Sequence, residues 1–203
     1  YNLNRAQFGA RYLTGVADAS GPEAIPIAER CLIGFGNTAG PGMMGTLYNS
    51  SYQFIQTDDY LMIMVEMVHD VRIIPLFQNS EIARDSHRPS VLNQWLGDSV
   101  GWFEGETLIV EKKHINQLQM SQSSIPISPD GKIIERFSRH SEDEIVYEFT
   151  VDDSNLYSQP WTSELSFYPL EGRIYEYACH EGNYSMPGIL AGARRLEREQ
   201  ASN

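Results

Sequence analysis

Cationic side chains are in short supply: 15 Lys and Arg stand against 27 Asp and Glu, a formal net charge of −12 with a pI near 4.8. Binding to nucleic acid or to an anionic membrane rests on a surplus of Lys and Arg, so neither is an expected partner. Long apolar runs are missing too. The longest, near 61–68, is broken by Glu66 and falls short of the roughly 18 residues that span a bilayer, so no membrane insertion is expected. Cysteine is confined to Cys31 and Cys179. They form either one disulfide, closing a loop of about 150 residues worth on the order of 4–5 kcal/mol in the chain-entropy model, or two buried thiols. The glycines between 34 and 45 are not followed by Gly-Lys-Ser/Thr, which excludes a phosphate-binding loop. There is no Gly-x-Ser-x-Gly elbow, and Tyr184 stands where His-Glu-x-x-His would need its second histidine. Internal repeats and low-complexity tracts are absent.

What is present is the composition of one folded domain: 203 residues, 41% hydrophobic and 21% charged. A first residue of Tyr1 rather than Met leads to the expectation of a processed or trimmed chain whose signal peptide, if any, is gone. Residues 1–50 read as an irregular or helical segment packing on the main body, with helix-like spacing in Leu3, Phe8, Tyr12 and Leu13 and then a Gly- and Pro-rich stretch. From Ser51 the pattern changes to short strands: 52–57, 60–67, 70–77, 100–103, 107–113, 132–139, 144–151, 161–169 and 173–179, with 78–90 a polar loop. About eight or nine strands with turn signals between them predict a single antiparallel β-barrel of lipocalin-like type over 51–180, with short peripheral helices; a β-sandwich is the alternative. Eight strands leave room for one small ligand, and 11 tyrosines suit such a lining. Glu135-Arg136 places one charged side chain inward in either register.

The densest chemistry lies in 174–194. Tyr175, Tyr177 and Cys179 would share one strand face. Gly182-Asn183 turns the chain, and Ser185 and Pro187 open a helix over about 185–199. His180 and Glu181 then sit where a strand enters a loop, a place where functional groups collect.

The run Glu176-Tyr177-Ala178-Cys179-His180-Glu181-Gly182-Asn183-Tyr184, followed by 189–194, resembles the C-terminal signature of a group of exported bacterial β-rich proteins frequent in proteobacteria and acidobacteria. Segments 52–57, 66–75 and 95–111 are similar to that group as well, so the resemblance covers most of the chain from about Glu29. It implies export to the periplasm or beyond and a Cys31–Cys179 disulfide. The group has no settled activity, and the resemblance carries over no catalytic residues. Phe77-Gln78-Asn79-Ser80-Glu81 departs from the group's Asp-Gly-Arg-type turn, which suggests a different ligand at that rim.

Two constellations compete for function. Glu66, His69, Asp70 and Arg72 lie in an apolar run, where a tight hairpin would bring Glu66 beside Arg72 as a structural pair or free Glu66 and His69 for proton transfer. His180 and Glu181 form the other; with His69 and Glu66 they would complete an acid/base site or, less simply, a metal site. The expectation is cofactor-free, metal-free acid/base chemistry (isomerisation, dehydration, cyclisation or hydrolysis) on a small, partly apolar organic molecule. His180, His69, Glu66 and Glu181 would be catalytic, and Tyr177, Tyr184, Arg72, Trp102 and Asn183 would bind substrate. The alternatives are a lipocalin-like carrier without catalysis and a carbohydrate-binding sandwich, which would need Trp95, Trp102 and Trp161 exposed in a row. A homodimer is left open.

Overall fold

The computed structural model describes residues 19, 21–121 and 123–202, so the helix-like spacing of Leu3 to Leu13 lies outside the described residues. Eight strands follow in order: β1 (Tyr52–Gln56), β2 (Tyr60–Val65), β3 (Val71–Phe77), β4 (Asp98–Glu104), β5 (Thr107–Lys113), β6 (Lys132–Ser141), β7 (Glu144–Asp152) and β8 (Trp161–Phe167). They make one sheet whose spatial order is the sequence order, curled into a half-barrel and not split into a sandwich. The expectation of a purely antiparallel sheet needs one correction. β3 and β4 run parallel, because the chain crosses back between them through the helix α1 (Ser80–Asp85).

The strands form where β-branched and aromatic residues recur every second position. On β6 and β7 this puts Ile133, Glu135, Phe137, Tyr147, Phe149 and Val151 inside, all buried. With Leu61, Ile63, Ile74, Leu108 and Val110 they fill the concave side. β1 and β8 do not pair; the Tyr52 and Phe54 rings instead meet Phe167 at centroid distances of 5.0 and 5.6 Å. Aromatic contact closes the seam that hydrogen bonds leave open.

The glycine-rich segment packs into the half-barrel as a plug, with Met43 buried in its core. Met43 N donates to Tyr147 Oη at 2.8 Å, Gln119 Nε2 donates to Gly40 O, and Asn37 Oδ1 accepts from Ser124 N at 2.8 Å. Gly40 has φ +119°, a backbone conformation that calls for glycine, and a Cβ there would also displace Lys112 Nζ.

The segment 78–90, expected as loop, contains α1. Asn79 Oδ1 caps it, accepting from Glu81 N and Ile82 N at 3.1 and 3.0 Å. Its Ala83 packs on Val100, Trp102 and Ile109 on the outer face of the sheet. At the other end, the expected strand 173–179 does not form. Residues 173–178 are an irregular strap, followed by α2 (Cys179–Gly182) and α3 (Ser185–Ala201). No described helix is long and apolar enough to cross a membrane.

Candidate functional site

The strap fails to become a strand because side chains take the N–H groups that a neighbouring strand would otherwise accept. Tyr175 N donates to Glu66 Oε1 at 3.2 Å, and Tyr177 N donates to His69 Nε2 at 2.9 Å. These are alternate residues, the period a ladder would use. Glu66 and His69 sit on the tight β2–β3 connection, where Val68 and His69 both have left-handed φ, 57° and 55°. Such a conformation is costly for a β-branched residue. Asp70, on the same connection, accepts from Gly34 N at 2.7 Å. Burial pushes its carboxyl up to about 6, against the opposing pull of that N–H and of His69. One turn thus holds the strap on one side and residues near Gly34 on the other. Cys31 and Cys179 join the same two segments as a disulfide, and Asn183 Nδ2 donates to Glu29 O at 2.6 Å.

Between these two walls lies an open groove of about 630 Å³, lined by Phe35, Tyr177, Glu29, Glu176, Asn49 and Asn183 among others. Phe35 packs on Tyr48 at 5.6 Å between centroids. Burial first, then the charge and hydrogen bond of the Tyr48 phenol, hold the Tyr177 phenol above its usual range. The lining named here combines aromatic faces, two carboxylates and two amides and includes no cation.

Of the expected substrate-binding residues, Tyr177 and Asn183 line this groove. Tyr184 is 85% exposed. His180 and Glu181 are exposed on α2, with no side-chain hydrogen bond among the described residues. His69 and Glu66 are engaged with strap backbone, and an N–H facing Nε2 requires that nitrogen to carry its lone pair. Glu66 is not paired with Arg72 as the hairpin suggested; Arg72 turns inside the half-barrel. Trp102 lies under α1 with Arg84 over its ring at 5.1 Å and its Nε1 donating to Glu104. It is buried, while Trp95 and Trp161 are half-buried, so the tryptophans make no exposed row. Among the described residues no three His, Cys, Asp or Glu converge as a metal site.

Two ionic clusters join positions that the sequence leaves apart. Inside, Arg72 Nη1 donates to Glu135 Oε1 at 2.9 Å, Nη2 bonds Glu135 Oε2, and Tyr147 Oη donates to Glu135 Oε1 at 2.6 Å. Burial alone would raise Glu135; Arg72 and then Lys112 override it and hold the carboxyl at about 2. Lys112 Nζ is buried without a hydrogen-bond acceptor, 3.9 Å from Glu135 Oε1. Burial, then Arg72, bring it down to about 7. Glu135 was the detectable member, since Glu135-Arg136 forces one charge inward. Outside, His87 is held between Asp98 at 2.7 Å and Glu111 at 3.3 Å, with Lys113 2.6 Å from Glu111. No local signal in the sequence joins these four positions, which meet only through strand pairing and the turn after α1.

No protein-family model matches the chain, and neither does any curated protein or solved structure.

Proposed function

We propose that the protein is a binding protein for a small, partly apolar organic molecule, neutral or cationic, held in the disulfide-bounded groove and released unchanged. The observation that carries this reading is the use made of the titratable groups beside the groove. His69 and Glu66 accept strap N–H bonds, whereas acid/base catalysis asks for an imidazole and a carboxylate directed at a reacting atom. The groove's aromatic faces and polar amides are the usual furniture of a ligand site. Glu29 and Glu176, with no cation among the named lining residues, disfavour an anion and favour an ammonium over an aromatic face. The disulfide and the resemblance to exported bacterial proteins support an oxidising compartment outside the cytoplasm.

The test is a titration of isotopically labelled protein with hexylamine, hexanol and hexanoate, following the backbone amides of Asn49, Tyr177 and Asn183. Hexylamine and hexanol should shift these amides, hexanoate much less. Tyr177→Ala and Asn183→Ala should each weaken binding by about tenfold. If none of the three compounds moves the groove amides, the reading fails.

A further inference from the structure

β3 and β4 are paired only at Leu76↔Gly101 and Phe77↔Trp102. Towards their other ends the strands part, and a pocket of about 80 Å³ lies in the split, lined by Arg72, Ser99, Asp98, Arg88, Gln94 and Gly97 among others. This opening pierces the barrel wall beside the buried ionic cluster and is separate from the groove. We propose that the split takes the carboxylate of a small, short-chain organic acid, with Arg72 and Ser99 as its donors and Val71 and Ile73 under its chain.

Donor geometry is the first support. Arg72 is 4% exposed. Its Nη1 and Nη2 grip Glu135 and its Nη2 also reaches Ser99 Oγ at 3.2 Å, while Nε is buried with no acceptor. With both Nη2 hydrogens engaged, the donors left for a carboxylate are the Arg72 Nε–H and the hydroxyl proton of Ser99, whose oxygen accepts from Nη2. Ser99 is paired with Lys112 across β4 and β5, so both project to the concave side. A Cβ on Gly97 of the pocket wall would sit 3.3 Å from Lys112 Cγ.

Charge is the second. The cluster sets Arg72 and Lys112 against Glu135 alone, so with Lys112 protonated one positive charge is in excess, and a monoanion balances it. Asp98 at the lip is already engaged by His87 Nδ1 at 2.7 Å and Arg88 N at 3.0 Å. Size and surface complete the match. At about 80 Å³ the pocket is small beside the 630 Å³ groove, on the scale of a carboxylate head. The neighbouring Val71 and Ile73 are 41% and 64% exposed on the outer face and offer apolar support to a short chain.

Proton uptake accompanies binding. Arg72 on β3 and Glu135 on β6 act on Lys112 directly; Tyr147 on β7 is bonded to Glu135, and Tyr52 on β1 lies within the field of Arg72 and Glu135. Lys112 is held down at about 7; a bound anion favours its charged form, so affinity falls as pH rises above about 7, towards tenfold per pH unit for one linked proton.

The experiment titrates the whole protein near pH 6 with butyrate, formate, butanol, nitrate and phosphate. It follows the amides of Ile73, Gly97, Ser99 and Val100, and the melting temperature. Butyrate should shift these amides and raise the melting temperature, with formate several-fold weaker and butanol inert. Ser99→Ala should weaken butyrate by about tenfold, the loss of one hydrogen bond to a charged group. Ile73→Ser should erase the preference for butyrate over formate, and Lys112→Met should flatten the pH dependence. Arg72 is left intact because its loss strands Glu135. The proposal is overturned if butanol moves the same amides, if nitrate or phosphate equals butyrate, if Ser99→Ala binds unchanged, or if butyrate shifts no amide at the split.

Discussion

Replacing Cys31 and Cys179 together by serine removes the covalent link between the plug and the strap. The bond joins residues separated by 148 positions, for which the chain-entropy relation gives about 17 cal/mol/K, or about 5 kcal/mol at 25 °C. Domains of this size have net stabilities of roughly 5–15 kcal/mol, so the loss is a large share, equivalent to a fall of about 10–20 °C in melting temperature. The remaining ties of the strap, Tyr175 N to Glu66, Tyr177 N to His69 and Asn183 to Glu29 O, contribute about 1 kcal/mol each and survive the substitution. They act on the folded state, while the cross-link restrains the unfolded chain. The assay is urea unfolding followed by tryptophan fluorescence. The double variant should unfold at lower urea with a larger m value, because its unfolded chain expands more. Reduced wild type should superimpose on the variant. A variant within about 1 kcal/mol of the oxidised wild type would refute the reasoning, since a loop of this length cannot then be what the bond restrains.

Lys112→Met should stabilise the protein by about 1–4 kcal/mol below pH 7. Lys112 has a folded pKa of about 7, below its ordinary 10.5, so its cost is full below 7 and gone above 10.5; urea midpoints at pH 6 and pH 10.5 check this. Asp70→Asn keeps an acceptor for Gly34 N and should gain about 2 kcal/mol at pH 8. The folded pKa of Asp70, raised from 3.8 to about 6, makes the charged form costly only as pH rises through that window, so the gain should vanish near pH 3.5. In the outer cluster His87 is raised and Glu111 lowered to about 2. The His87 contribution is present below about 6.5 and lost as pH rises through its folded pKa, and that of Glu111 is present above about 4.5 and lost towards 2. His87→Gln should therefore cost most near pH 5.5, about 1 kcal/mol after solvent screening, and least above pH 9, as thermal melts across pH would show.

The strands were legible because period-two alternation survives wherever one face is buried: β5 starts and ends where the pattern says, and β6 and β7 differ by a residue or two at their ends. The fold class followed from their number and spacing. The strap misled because Tyr175, Tyr177 and Cys179 alternate like a strand, while the N–H groups of Tyr175 and Tyr177 go to side chains more than 100 residues away and that of Cys179 turns back to Tyr177 O. Helix α1 was hidden in a polar stretch, although Asn79 followed by Glu81 is a cap signal. At the candidate site Tyr177 and Asn183 were within reach of local reading. The Arg72–Glu135 pair was not, since 63 positions separate its members and only register across three strand pairings brings them together. Parallel β3–β4 pairing was equally invisible, for the crossover length alone does not choose the direction of the returning strand.

That parallel step divides the wall into two meanders, β1–β3 and β4–β8, and within each every hydrogen-bonded neighbour is also a neighbour in sequence. Except for the 18-residue β5–β6 connection, the closures within each meander are short, so the expected order of events is local assembly of the hairpins followed by one docking step. The two register pairs between them are then the last made and the first broken, and native-state amide exchange should find its sub-global opening along that line. Since the Cys31–Cys179 link ties the chain before the first meander to the chain after the second, the halves part and rejoin like a book held by its clasp.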